Sequence, residues 1–66
     1  MFITINGKKE EVKLGLSLSG LILSKGLRAE NLVIEHNLRI LLKEEWENTH
    51  LRGGDKVEIV SFVGGG

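Results

Sequence analysis

The strongest structural signal in this 66-residue chain is the stretch LRGGDKVEIVSFV, residues 51–63. Its glycines and Asp55 are typical of a chain reversal. Residues 56–63 then alternate between two sets of side chains, which predicts a β-strand with one face toward a core. The face predicted to be buried carries Val57 and Ile59. The opposite face carries Glu58, Val60 and Phe62.

A hairpin is predicted at the amino terminus. Residues 2–6, FITIN, alternate, with Ile3 and Ile5 on one face. Asn6-Gly7 follows, and this dipeptide is the strongest short-range signal for a two-residue hairpin turn. The next segment, KKEEVKL at residues 8–14, predicts a second strand antiparallel to the first.

One helix is predicted after the hairpin. Ser17 is a residue type that favours the N-cap position, where its hydroxyl accepts a hydrogen bond from the first turn. Leu18, Leu21 and Ile22 follow at a spacing that forms one apolar stripe. Gly26 stands where a C-terminal capping glycine is expected.

The middle of the chain predicts two short strands and a helical turn. LVIEHN, residues 32–37, has a core-like face formed by Leu32, Ile34 and His36, and RILL, residues 39–42, follows the turn at Asn37. Trp46 is the one apolar residue of KEEWENT and is expected to place its indole at the edge of the core. The resulting class is α+β, a mixed four- to five-stranded sheet with one main helix on one face and the other face open to solvent.

Composition excludes several classes of function. Nine basic and nine acidic residues give a formal net charge of zero, which argues against nucleic-acid binding because that affinity depends on accumulated Lys and Arg. The chain has no cysteine, and His36 and His50 are far apart, so no metal site is expected. No apolar run approaches the roughly 20 residues of a membrane span. A domain of this size can hardly enclose a substrate pocket of about 300 Å³, and a cytoplasmic protein that is not itself an enzyme is expected.

The succession of a hairpin, a helix, two short strands, the turn LRGGDKV and a strand that runs into Gly-Gly-Gly resembles the ubiquitin-like β-grasp fold. Within that fold the chain most closely resembles the ThiS family, the sulfur-carrier proteins of thiamine biosynthesis. The most specific portion runs from Asn37 through EEW to LRGGDKVEIVSFVGGG, and the resemblance extends to the stop at Gly66. It implies a β-grasp domain over residues 1–63 and a flexible glycine tail over residues 64–66.

The resemblance also implies a chemistry for the tail. The carboxylate of Gly66 would be adenylated by a ThiF-like adenylyltransferase that consumes ATP, and would become a thiocarboxylate with sulfur from a donor such as a cysteine desulfurase. A ThiG-like thiazole synthase would then accept the sulfur. Gly64 and Gly65 would give the terminus reach, since glycine lacks Cβ and can pass close to a nucleotide. The domain itself would bind no cofactor.

A docking surface is expected on the open face of the sheet. If Ile3, Ile5, Val57 and Ile59 face the helix, then alternation places three apolar side chains on the opposite face: Phe2, Val60 and Phe62. The first and last strands are neighbours in a β-grasp sheet, so these three are expected to cluster. An exposed apolar cluster of this kind typically marks a partner site.

Three other functions are compatible with the same residues. A sulfur carrier of the molybdopterin synthase type would use the same chemistry with a different acceptor. A ubiquitin-like protein modifier would join Gly66 to lysine side chains. A passive β-grasp interaction module would make no use of the glycine tail, which would then be an ordinary frayed terminus.

Overall fold

A computed structural model of the chain describes residues 1–62. Residues 63–66 lie outside it, and with them the domain boundary at residue 63 and the glycine tail. The last strand ends at Ser61, before the predicted residue 63, because Phe62 keeps only one backbone hydrogen bond within residues 1–62, to Asn31. The helix and strands of the described part are β1 (Phe2–Ile5), β2 (Lys8–Glu11), α1 (Leu18–Ser24), β3 (Leu32–His36), β4 (Arg39–Leu41) and β5 (Lys56–Ser61). Short 3₁₀ helices cover Ala29–Asn31 and Lys43–Asn48.

The strands form one mixed sheet in the order β2-β1-β5-β3-β4. β5 lies at the centre, parallel to β1 and antiparallel to β3, and the two hairpins flank it on either side. The α+β class with one main helix is therefore confirmed. β5, the last strand of the described part, is therefore the middle strand of the sheet.

Both hairpin turns contain an asparagine whose backbone is in the left-handed region. Asn6 and Gly7 have φ angles of 50° and 82°, which are typical of the type I′ turn that matches the twist of the strands. Ile5 pairs with Lys8 across this turn, so the predicted two-residue hairpin is confirmed. The second hairpin has the same design, with φ of 49° at Asn37.

The second strand is shorter than the sequence predicted. β2 ends at Glu11 rather than at residue 14, and the side chain of Leu14 is 87% exposed. The cause is its partner strand, which begins at Phe2. Beyond the ladder, Val12 and Met1 exchange two hydrogen bonds: the Val12 N–H donates to the Met1 carbonyl at 2.8 Å, and the amino terminus of Met1 donates to the Val12 carbonyl at 3.0 Å. Alternation in residues 8–14 could not reveal where the pairing partner begins.

The helix has the predicted start and stop. The Ser17 hydroxyl accepts a hydrogen bond from the Gly20 N–H at 3.0 Å. Gly26, just past the helix, has φ of 69°, which a residue with a side chain rarely adopts. The stripe of Leu18, Leu21 and Ile22 is buried against the sheet as predicted.

The core lies between the helix and one face of the sheet. Trp46 is only 3% exposed and packs with this core, so the predicted placement of its indole is confirmed. The other residues of the core are Ile3, Ile5, Leu18, Leu21, Ile22, Leu32, Ile34, Leu41, Leu51 and Val57. Ile59 is partly buried against the same core, and the face assignment of β1 and β5 is thereby confirmed.

We expect Ser17→Ala to lower the free energy of unfolding by about 1 kcal/mol, the usual contribution of an N-cap hydroxyl. Urea denaturation measures this. Ser19→Ala, two residues further on, is the matched control and is expected to change stability by less than about 0.5 kcal/mol. Equal stability of Ser17→Ala and the wild type would show that the cap does not stabilise α1.

Candidate functional site

The open face of the sheet carries an apolar cluster centred on β5. Val60 pairs with Val33 of β3, and Ile40 of β4 pairs with Glu35 beside them. The side chains of these apolar residues line a shallow groove together with Glu35 and Glu58. Val60 is 55% exposed and Ile40 is 64% exposed. We refer to Val33, Ile40 and Val60 as the open-face patch.

Phe62 extends this surface toward the carboxyl terminus. It lies two residues beyond Val60 and is half exposed. Its N–H donates to the carbonyl of Asn31 at 3.0 Å, which keeps the chain beside the start of β3 after β5 has ended. The last described residue is therefore held next to the patch, at the position from which residues 63–66 follow.

Phe2 does not join this cluster, and the expectation that it would is wrong. Its carbonyl accepts a hydrogen bond from the Gly54 N–H at 2.8 Å. Phe2 therefore lies beside Gly54, two residues before β5 begins. Val60 is six residues further along, or about 20 Å at roughly 3.3 Å per residue. The Phe2 ring instead lies under the ammonium of Lys9, 4.9 Å from its centroid.

Sequence reasoning missed two members of the patch. Val33 is on the face of β3 opposite its core residues, and this was visible from the alternation. Ile40 had no such signal, since β4 has only three residues, Arg39–Leu41. Its position follows from the hairpin register with Glu35, which depends on the two-residue turn.

A polar network closes the opposite end of β5. The carboxylate of Asp55 accepts hydrogen bonds from the His36 ring and the Arg52 N–H, both at 2.9 Å, and from the Asn37 amide at 3.2 Å. Burial by itself would raise the pKa of Asp55. The hydrogen bonds from His36, Arg52 and Asn37 outweigh burial and lower that pKa below its ordinary value. The network joins the turn before β5 to the turn after β3.

The lowered pKa predicts how Asp55→Asn changes stability with pH. A carboxyl group whose pKa is lower in the folded state stabilises the protein above its unfolded pKa, and this contribution is lost as pH falls through the folded value. At about pH 5.5 we expect the variant to be less stable by roughly 1–2 kcal/mol, as for hydrogen bonds to a charged group. The difference should shrink below about pH 4, as measured by urea denaturation at each pH. A difference that stays constant down to about pH 2.5 would contradict this role of the carboxylate.

Two further findings concern the described residues. Within residues 1–62, no group of three or more His, Cys, Asp or Glu side chains lies close enough to hold a metal ion. None of the helices in the same part of the chain is long and apolar enough to cross a membrane. The predicted reactive residue, Gly66, and the predicted tail residues, Gly64 and Gly65, lie outside the described part.

Comparison with known proteins places the fold and the whole sequence in one group. The model of the ThiS family matches residues 3–66. The crystal structure of the thiamine biosynthesis protein ThiS from Geobacter metallireducens superposes with a TM-score of 0.87 at 33% identity, over 100% of both chains.

Two curated proteins are similar in sequence. A thiazole synthase from Paramagnetospirillum magneticum is 32% identical over 66 residues, which are 100% of this chain and 20% of that protein. The ycf40 protein of Trieres chinensis is 36% identical over 62 residues, 94% of this chain and 85% of that protein. The chain thus spans about a fifth of the length of the thiazole synthase that it matches.

Proposed function

The chain belongs to the ThiS family, and from this we propose that it is a sulfur carrier for synthesis of the thiazole of thiamine. Its reactive group is the carboxylate of Gly66, which becomes a thiocarboxylate. The observation that supports this most is the extent of the family match, which runs through all three terminal glycines. The full-length likeness to a ThiS structure supports the same role for the folded domain.

The carboxylate requires activation because it is ionised at cellular pH and is then a poor electrophile; its ordinary pKa is about 3.5. A ThiF-like adenylyltransferase supplies the activation. One carboxylate oxygen attacks the α-phosphorus of ATP, pyrophosphate leaves, and an acyl adenylate forms. The persulfide of a donor such as a cysteine desulfurase then attacks the acyl carbon through its outer sulfur, and AMP leaves with that oxygen, which gives an acyl disulfide. A thiol reductant cleaves the S–S bond, forms a mixed disulfide with the donor cysteine and releases the thiocarboxylate.

The domain acts as a co-substrate in this scheme, and the partner enzymes supply the catalytic groups. Three glycines in succession allow the terminus to enter a narrow site, because no Cβ limits how closely the backbone approaches the nucleotide. Fixing the backbone of one residue costs about 1–2 kcal/mol, and glycine loses more conformational freedom than any other residue when it is fixed. The domain therefore needs a docking surface whose burial offsets this cost.

The open-face patch is the surface that suits this need. Val33, Ile40 and Val60 are exposed apolar residues on neighbouring strands, and Phe62 continues them toward the tail. Apolar burial contributes about 25 cal/mol per Å², so the patch offers the favourable free energy that the tail lacks. Glu35 and Glu58 border the groove and favour a partner with basic residues around its apolar contact.

We propose a thiazole synthase as the acceptor of the sulfur. The support is the Paramagnetospirillum protein of that name, a fifth of which is similar to this entire chain. A carrier that shares a polypeptide with the enzyme that consumes its sulfur, and that keeps its own carboxyl terminus free, would benefit because a tether raises the effective concentration of one for the other.

Exchange of radioactive pyrophosphate into ATP tests the first step. The purified chain, incubated with a ThiF-like enzyme and ATP, should support exchange that depends on the chain. Absence of exchange with an enzyme that adenylates a known ThiS protein would contradict the proposal.

The acceptor is tested by offering the thiocarboxylated chain to alternative enzymes. We expect sulfur transfer with a thiazole synthase and none with the large subunit of molybdopterin synthase. Transfer only to the latter would assign the chain to the other carrier pathway, and lysine-linked conjugates that require Gly66 would indicate a protein modifier.

A further inference from the structure

The side chain of Asn6 bridges the first turn to the last strand. Its Oδ1 accepts from the Ile59 N–H at 2.7 Å, and its Nδ2 donates to the Ile59 carbonyl at 3.2 Å. An asparagine amide presents an acceptor and a donor side by side, as a peptide group does. These two hydrogen bonds, which we call the Asn6 bridge, thus imitate the pairing of one more strand residue.

The bridge stands where backbone pairing between β1 and β5 has ended. The register of these strands stops at Ile5 and Val57. The backbone N–H of Asn6 still donates to the Val57 carbonyl at 2.9 Å. The main chain then turns away at φ of 50°, and only the side chain continues along β5. Asparagine suits the position because it tolerates the left-handed region better than most residues.

The backbone ladder between β1 and β5 ends at Val57. Because of the Asn6 bridge, β5 is held on both sides as far as Ile59, two residues further along. At Ile59 the strand is bonded to Asn6 on one side and is paired with Ile34 of β3 on the other. Val60 and Ser61 pair with β3 alone within residues 1–62. The Asn6 bridge is therefore the last restraint on the β1 side, among the described residues, before the chain reaches the tail.

We propose that Asn6 is a positioning residue for the carboxyl-terminal segment. By fixing the backbone at Ile59 it sets the direction in which β5 delivers residues 63–66 to a partner enzyme. This inference rests on the proposed carrier function, since it assigns the bridge a role in presenting Gly66.

The chain contains a matched control at the other end of the same strand. Asn37 also has a left-handed φ, and its Oδ1 accepts from the Lys56 N–H at 2.8 Å. Its own N–H donates to the Lys56 carbonyl at 2.8 Å. Asn37 thus bonds the start of β5 much as Asn6 bonds its later part, and its loss should lower stability without affecting the strand near Ser61.

The test compares Asn6→Gly with Asn37→Gly, because glycine retains the left-handed turn and removes only the side chain. Amide hydrogen exchange at Ile59, relative to global unfolding, should accelerate about tenfold in Asn6→Gly, as for loss of a hydrogen bond, and not in Asn37→Gly. In the adenylation assay, KM for Asn6→Gly should rise about tenfold. This is the effect expected if docking must fix the backbone of one more residue than in the wild type. Its kcat should stay within about twofold, and both constants of Asn37→Gly should stay within about twofold of wild type.

Equal KM values for the two variants would overturn the positioning role, and unchanged exchange at Ile59 in Asn6→Gly would overturn the bridge itself. If Asn6→Gly does not fold, Asn6→Asp keeps the acceptor for the Ile59 N–H and replaces the donor to the Ile59 carbonyl with a carboxylate oxygen. A KM for this variant within about twofold of wild type would overturn the positioning role. A wild-type chain that is not adenylated would refute the proposed function, whereas the exchange measurement at Ile59 does not depend on that reaction.

Discussion

Adding one alanine after Gly66 is expected to abolish thiocarboxylate formation while leaving the domain folded. The extension moves the α-carboxyl about 3.5 Å along the chain and places a Cβ next to it. Misplacement of reacting groups by about 1 Å can already lower a rate 100-fold, so we expect no product above background. Deletion of Gly66 should have the same effect, since the carboxyl group would then fall short of the nucleotide.

Two controls accompany this prediction: a measurement of the extended protein's stability, and enzymatic removal of the added alanine. The midpoint of thermal unfolding should match that of the wild type, because the alanine is added six positions after Ser61, where β5 ends. Treatment with a carboxypeptidase that stops at glycine should restore conversion. An extended protein that still accumulates thiocarboxylate at the wild-type rate would show that the reactive group is not the carboxylate of Gly66.

Val60→Asp is expected to lower kcat/KM for adenylation by about 100-fold, mainly through KM. A few central interface residues contribute 2 kcal/mol or more to binding, and a carboxylate at this position would in addition have to be desolvated without a partner. Glu58 and Glu35 border the same groove and would add like-charge repulsion. Ile40→Asp should have a comparable effect, because its side chain lines that groove too.

Phe2→Asp is the matched control, since it makes the same change on the same face of the sheet, about 20 Å away by strand register. Adenylation by this variant should stay within about threefold of wild type. Urea denaturation of each variant separates docking from stability, because Val60 and Phe2 are both about half exposed. If Phe2→Asp impairs adenylation as strongly as Val60→Asp does, the docking surface extends along the whole open face. Normal adenylation of both Val60→Asp and Ile40→Asp would exclude the patch.

The first turn, the helix cap and the faces of β5 were predictable from residues that are close together in the sequence. Asn6-Gly7 specified a two-residue turn. The Ser17 hydroxyl caps the helix by accepting from the Gly20 N–H, three residues further on. Alternation assigned the faces of β5 correctly. Each of these signals depends on residues within a few positions of one another. Periodicity therefore predicted the fold class and the exposure of Val60 and Phe62.

Strand register was not predictable in the same way. Alternation states which face a residue occupies and leaves open how far along the sheet it lies, so Phe2 was placed beside Val60 although the two are at opposite ends. The bonds of Asn6 to Ile59, 53 residues apart, and of His36 to Asp55, 19 residues apart, also depend on register. Side chains that join distant turns to β5 have no periodic signal in the sequence.

Intact-mass spectrometry tests the central proposal most directly. The purified chain is weighed before and after incubation with a ThiF-like enzyme, ATP and a sulfur donor, and the carboxyl-terminal peptide is then sequenced. We predict a starting mass for a chain that ends at Gly66, followed by the increase expected when one oxygen is replaced by sulfur, located on Gly66. An unchanged mass, under conditions that convert a known sulfur carrier, would contradict the account.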